Sequence, residues 1–185
     1  IVNSLLRLQS SEIKDEKVVS MFEDAQNRVV SMALLHDNLY RVEELNQIDM
    51  SQHFRLLSGD LIKTYWVGKT IDMDIEIGQL DIGVKTMVPL GLINNEMITN
   101  SVKYAFPDRE KGKIFLSLHQ LEGRLHELII GDDGIGLADD GLKESDVNLG
   151  TELVAIFTEQ LEGHITRLPQ PGTVYSIIFR KIDDN

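Results

Sequence analysis

The chain has 185 residues, a formal net charge of −12 and 42% hydrophobic residues. That is enough apolar material for one sizeable core plus an appendage, and it excludes a disordered chain. The acidity argues against nucleic acid as a partner, because phosphates would be repelled. There is no cysteine, so neither disulfides nor thiol chemistry contribute. No apolar run is long enough to span a bilayer. The first residue is Ile1 rather than Met, so a piece of a longer protein is expected, cytoplasmic in itself, with membrane anchoring of the parent left open.

Residues 1–10 read as the end of a helix, with Ile1, Leu5, Leu6 and Leu8 apolar at roughly helical spacing. Ser11 and Asp15 mark a short turn. A longer helix follows from about residue 16 to 45, and Val18, Val19, Phe22, Val29, Met32, Leu35, Leu39 and Val42 form a seam of period near 3.5. Two such helices with a tight connection make an αα-hairpin. Neither stripe can be buried alone, so a homodimer through residues 1–45 is expected in preference to packing on the chain's own globular part. The stripe pauses near residues 46–49, which divides the chain into a helical hairpin at 1–47 and a second domain at 48–185.

In the second domain Asp49 is positioned to cap a helix reaching residue 66, with Met50, Phe54, Leu57, Leu61, Ile62 and Tyr65 apolar. Residues 71–77 alternate Ile71, Met73, Ile75 and Ile77 with acids, the pattern of a half-buried strand. Residues 86–106 form a helix with Thr86 as N-cap and Pro89 in the first turn, ended by Pro107. Within it Glu96 and Asn100 lie four apart, on one face, with Lys103 and Tyr104 near that face a turn later. Oxygen for a metal, a cation for phosphate and a ring for a base are gathered there, which suits a magnesium-nucleotide. A merely wet polar face is the alternative. Residues 113–120 and 124–131 are two strands joined by a turn at 121–123. GDDGIGL at 131–137 closes the second strand: Asp132 can accept a hydrogen bond from an exocyclic amine, and Gly134 and Gly136 allow positive φ and close approach to a ligand. A polar acidic loop occupies 138–148, Gly150 begins a helix to about 161, and strands at 164–168 and 173–181 finish an α+β fold, one mixed sheet covered on one face by helices.

NEMITNSVKY, DDGIG, LGTELV and PGTVYSIIF, in this order, resemble the histidine-kinase branch of the GHKL ATPase superfamily. They look like its N box, its two glycine boxes and its closing strand. SLLRLQS and SMALLHDNLY look like the dimerisation region of the subfamily whose phosphoacceptor segment is written HRVKNNLQ. The resemblance implies a GHKL-type two-layer α/β sandwich behind the αα-hairpin, and transfer of the ATP γ-phosphate to a histidine and thence to an aspartate of a response regulator. It implies that Asn100 holds Mg2+ through its side-chain oxygen and that Glu96 orients the attacking group or a metal-bound water. Lys103 would approach the phosphates and Tyr104 the adenine. Asp132 would bond the adenine amine, supported by Thr173 through a shared water. Gly134 and Gly136 would admit the nucleotide, and Gly150 would offer N–H groups at a helix start.

By the same resemblance the accepting histidine lies upstream of Ile1. His36 sits on the second helix of the hairpin, which is not the accepting one, and His53, His119, His126 and His164 read as structural or exposed. His119 and His126 flank a turn and could face each other. Two features depart from the family pattern. Thr151 stands where the second glycine box carries glycine or an apolar residue. The 138–148 lid holds Asp139, Asp140, Glu144 and Asp146 against Lys143. An anti-sigma-type serine kinase is a second reading, disfavoured because it needs no hairpin. A non-catalytic interaction module with a degenerate pocket is a third, for which the lid and Thr151 speak.

Overall fold

The computed structural model describes residues 2–10, 13–15, 70–78, 80, 82–137 and 149–182, with scattered positions between 18 and 33 and between 54 and 62. The chain divides into two compact units, Ile1–Ile48 and Asp49–Asn185.

In the first unit, α1 spans Val2–Ser10. Its Leu5 and Leu8 are exposed. Asp15 starts the next helical stretch as an N-cap: its side-chain Oδ1 accepts from the Val18 N–H at 3.3 Å, and its carbonyl accepts from the Val19 N–H at 2.9 Å. The described positions between 18 and 33 are helical. The rest of the expected hairpin, with His36, lies outside the described residues.

The second unit is built on a five-stranded sheet of order β1-β2-β3-β5-β4. Its strands are β1 (Thr70–Ile77), β2 (Lys111–Gln120), β3 (Leu125–Asp132), β4 (His164–Arg167) and β5 (Thr173–Arg180). β1 pairs parallel with β2, and every other pairing is antiparallel. Parallel neighbours need a crossover, and here it is helix α2, Val84–Asn100, followed by a π-helical turn, Ser101–Ala105. Helix α3, Leu149–Gln160, packs on α2 and connects to β4. Alternation decides which face is buried. Ile114, Leu116 and Leu118 of β2, Leu128 and Ile130 of β3, and Ile177 and Phe179 of β5 form the core with Met87, Leu90, Ile93 and Ile98 of α2. On β1 the acids Asp72, Asp74 and Glu76 are exposed, and Asp74 pairs with Lys113 at 2.9 Å. The α+β architecture with one mixed sheet is therefore the one expected from the sequence.

Three local expectations need correction. α2 starts earlier than expected: Gly83 is the N-cap and makes no side-chain cap. Thr86 instead uses its hydroxyl to accept from the Ile182 N–H at 2.7 Å, tying down the chain beyond β5. Pro89 consequently lies inside the helix, where its missing N–H withholds a bond from the carbonyl four residues back. Finally, His119 and His126 do not face each other. His119 pairs with Glu127, and His126 pairs with Gln120, so one residue of offset sends them to opposite faces. His126 is buried and stacks on Phe179 at 5.5 Å, and burial pushes its imidazole pKa down.

Candidate active site

Five consecutive residues after Asn100 wind as a π-helix rather than an α-helix. Such turns are frequent at functional sites because they re-aim the side chains that follow. Met97, Asn100, Ser101, Tyr104 and Ala105 from this junction line one side of a cavity of about 340 Å³. Ile130 and Asp132 of β3, Tyr175 and Thr173 of β5, and Thr151, Val154 and Ala155 of α3 line the rest. The volume falls within the range of about 300–1,000 Å³ usual for small-molecule sites. The walls are mainly apolar, and a carboxylate stands among them.

That carboxylate is Asp132, 1% exposed. A buried carboxylate must be supplied with donors, and three are in place. Oδ1 accepts from the backbone N–H of Gly134 at 3.0 Å and of Thr173 at 3.2 Å. Oδ2 accepts from the Ser101 hydroxyl at 2.7 Å. Thr173 is opposite Asp132 in the β3–β5 register, so its backbone reaches the carboxylate directly.

The next residue, Asp133, turns the other way and fixes the loop to the sheet. Its Oδ1 accepts from the Lys113 N–H at 2.7 Å. Arg109 donates to its Oδ2 at 2.9 Å and to its carbonyl at 2.6 Å, and the same guanidinium lies 5.6 Å from the Phe106 ring centroid. Burial pushes the Asp133 carboxyl up, but the Lys113 N–H and the Arg109 guanidinium outweigh it and hold the pKa below the ordinary value.

The glycines act in two ways. Gly136 has φ 73°, as the sequence anticipates for a left-handed position. Gly134 does not use positive φ. A Cβ there would collide with the carbonyl and side chain of Ala105, so its role is close approach of two backbones.

Asn100, Tyr104, Asp132, Gly136 and Thr173 all line the cavity; Glu96, Lys103, Gly134 and Gly150 do not. Glu96 is buried one turn before Asn100. Lys103 is half-buried in the π turn, and Gly150 is buried in the first turn of α3. Tyr104 is 60% exposed, so it belongs to the cavity mouth and not to the core. Among the described residues no three His, Asp or Glu side chains cluster as a metal site. The acidic 138–148 loop lies outside the described residues. Two polar residues of the cavity, Tyr175 and Ser101, escape the sequence reading. Tyr175 follows Thr173 by two and so shares its face, a signal the period of a strand carries. Burial raises its phenol pKa. Ser101 has no such signal, since only the fold brings it to Asp132.

A family model described as "Histidine kinase" matches residues 1–65. The chain is 26% identical over 182 residues to "Blue-light-activated histidine kinase 2" of Erythrobacter litoralis, covering 96% of this chain and 52% of that protein. A solved histidine kinase domain from the blue-light activated histidine kinase of the same organism superposes with TM-score 0.70 at 19% identity, covering 97% of this chain and 92% of that one. Over residues 1–65 the chain matches a histidine kinase model, and the relatives and solved structures it resembles are histidine kinases. Full-length ShkA, solved in complex with AMPPNP, shares the fold at TM-score 0.55 and 16% identity over 92% of this chain and 40% of its own. The chain spans between a third and about half of the length of the curated histidine kinases it matches. No helix among the described residues is long and apolar enough to cross a membrane.

Proposed function

We propose that this chain is the ATP-binding core of a sensor histidine kinase, which passes the γ-phosphoryl group of ATP to a histidine and onward to a response-regulator aspartate. The observation that carries the reading is the Asp132 carboxylate, held by three donors inside a mainly apolar cavity of about 340 Å³. A base with an exocyclic amine matches an acceptor in such walls. The histidine-kinase relationship and the AMPPNP complex of ShkA support ATP as the nucleotide.

The residues present also fit magnesium. Mg2+ retains water and phosphate ligands and takes few from the protein, so the side-chain oxygen of Asn100 would hold it where, among the described residues, no carboxylate cluster exists. When bound, the ion would neutralise charge developing on the phosphates. Tyr104 at the mouth offers a ring to the base, and Lys103 a cation one turn beyond Asn100. Glu96, buried on the same helix, orients the group that approaches the γ-phosphate. Catalysis in such a site is chiefly positioning. The serine-kinase reading gains nothing from the family comparison, and a degenerate module is separated from a kinase by nucleotide binding itself.

Calorimetry with Mg-ATP tests the proposal. Asp132→Asn replaces an acceptor oxygen with a donor amide, and the loss of a bond to a charged group costs about 1.5–3 kcal/mol, so affinity should fall roughly ten- to a hundredfold. Equal affinity in the two proteins would remove Asp132 from the base-binding role.

A further inference from the structure

Ser101 lies immediately after the proposed metal-binding Asn100, in a part of the chain with no evident reason to meet the glycine loop. It is 8% exposed, lines the cavity, and donates its single hydroxyl hydrogen to Asp132 Oδ2 at 2.7 Å. That proton is then committed. A serine hydroxyl has one donor and two acceptor lone pairs, so Ser101 turns only lone pairs toward the rest of the cavity. Oδ2, having accepted one bond, does the same. Oδ1 is already engaged by two backbone N–H groups. The polar edge formed by Asp132 Oδ2 and Ser101 Oγ therefore presents acceptors and no donor.

We propose that Ser101 is a positioning and specificity residue, which sets the Asp132 carboxylate and completes with it an acceptor-only edge selecting a purine that bears an exocyclic amine. The inference rests on the ATP reading of the site. An –NH2 group satisfies such an edge. A purine carbonyl at the same place meets lone pairs on both oxygens, and an unsubstituted purine leaves both oxygens without the ligand's donors. Two oxygens reading one substituent give discrimination by unpaired polar groups, which is stronger than discrimination by shape in an apolar cavity.

The test compares ATP with the 6-unsubstituted purine ribonucleoside triphosphate, both with magnesium, by calorimetry on the full chain. For Ser101→Ala the affinity for ATP should drop by up to about tenfold, the size of one hydrogen bond to a neutral group, while the unsubstituted nucleotide changes less than about twofold. Ser101→Thr keeps the hydroxyl and should retain the wild-type preference. A thermal melt of each variant reports folding separately, and a merely structural role for Ser101 would weaken both nucleotides together. Equal loss for the two nucleotides in a folded Ser101→Ala protein, or no loss for either, would overturn the specificity role while leaving ATP binding in place. Failure of the wild-type chain to bind either nucleotide would overturn the ATP reading and this inference with it.

Discussion

Asp132 and Asp133 are adjacent and chemically alike, yet the fold gives them opposite tasks. One faces the cavity, and the other locks the loop to β2 and Arg109. The lock carries a pH signature. The folded Asp133 pKa lies below its ordinary value of 3.8, so its contribution to stability is complete above that value. It is lost as pH falls through the lower, folded pKa. Arg109 and Asp133 are both substantially exposed, so the ion pair itself contributes under about 1 kcal/mol. Asp133→Asn should therefore flatten the acid limb of a urea-unfolding series between pH 5 and pH 2 and lower stability only slightly at neutral pH. An unchanged acid limb would detach the lock from stability. Asp132 was legible in the sequence because a polar residue at the end of an apolar strand is conspicuous. The tasks of Ser101 and Arg109 were not, because neither has a periodic signal and both act across 24 or more residues of chain.

At the scale of elements, the π turn after α2 and the glycine loop meet backbone to backbone at Ala105 and Gly134. The Ile135 N–H donates to the Ala105 carbonyl at 2.9 Å. Gly134→Ala would drive a methyl into that carbonyl. Overpacking of this kind costs about 1–3 kcal/mol, and the strain falls on the π turn that carries Tyr104 and Ser101. The expected outcome is a lower melting temperature together with weaker ATP binding, whereas a loss of stability alone would show that the turn absorbs the methyl. The strands were readable to within a residue or two because alternation survives without context. Gly83 as N-cap and the π turn were not. A cap lacking a side-chain bond leaves no mark in sequence, and a π turn is set by what the helix must reach. Thr86 looked like a cap because it has the right chemistry, but the fold spends that hydroxyl on Ile182.

At the scale of the whole molecule, the two units pose separate questions. The seam of the first, read from sequence, predicts a homodimer. Leu39→Asp should shift light scattering toward the monomer across a dilution series, since an unpaired charge in an apolar seam is strongly unfavourable. A wild-type monomer at every concentration would count against the seam. The second unit is proposed to phosphorylate a histidine other than His36. With γ-labelled ATP, acid-labile label should reach a fragment carrying that histidine in trans and vanish with Asn100→Ala. Acid-labile label on this chain that disappears in His36→Ala would make His36 the acceptor. The glycine loop after β3 bears on both experiments. Its successive amides, at Asp133, Gly134 and Ile135, are claimed by the Lys113 carbonyl, the Asp132 carboxylate and the Ala105 carbonyl. A segment whose composition reads as supple is fastened at three consecutive positions, to a strand, to a buried side chain and to a helical turn. Deuterium uptake at these three amides should accordingly be slow before any nucleotide arrives, leaving little ordering entropy to oppose binding there.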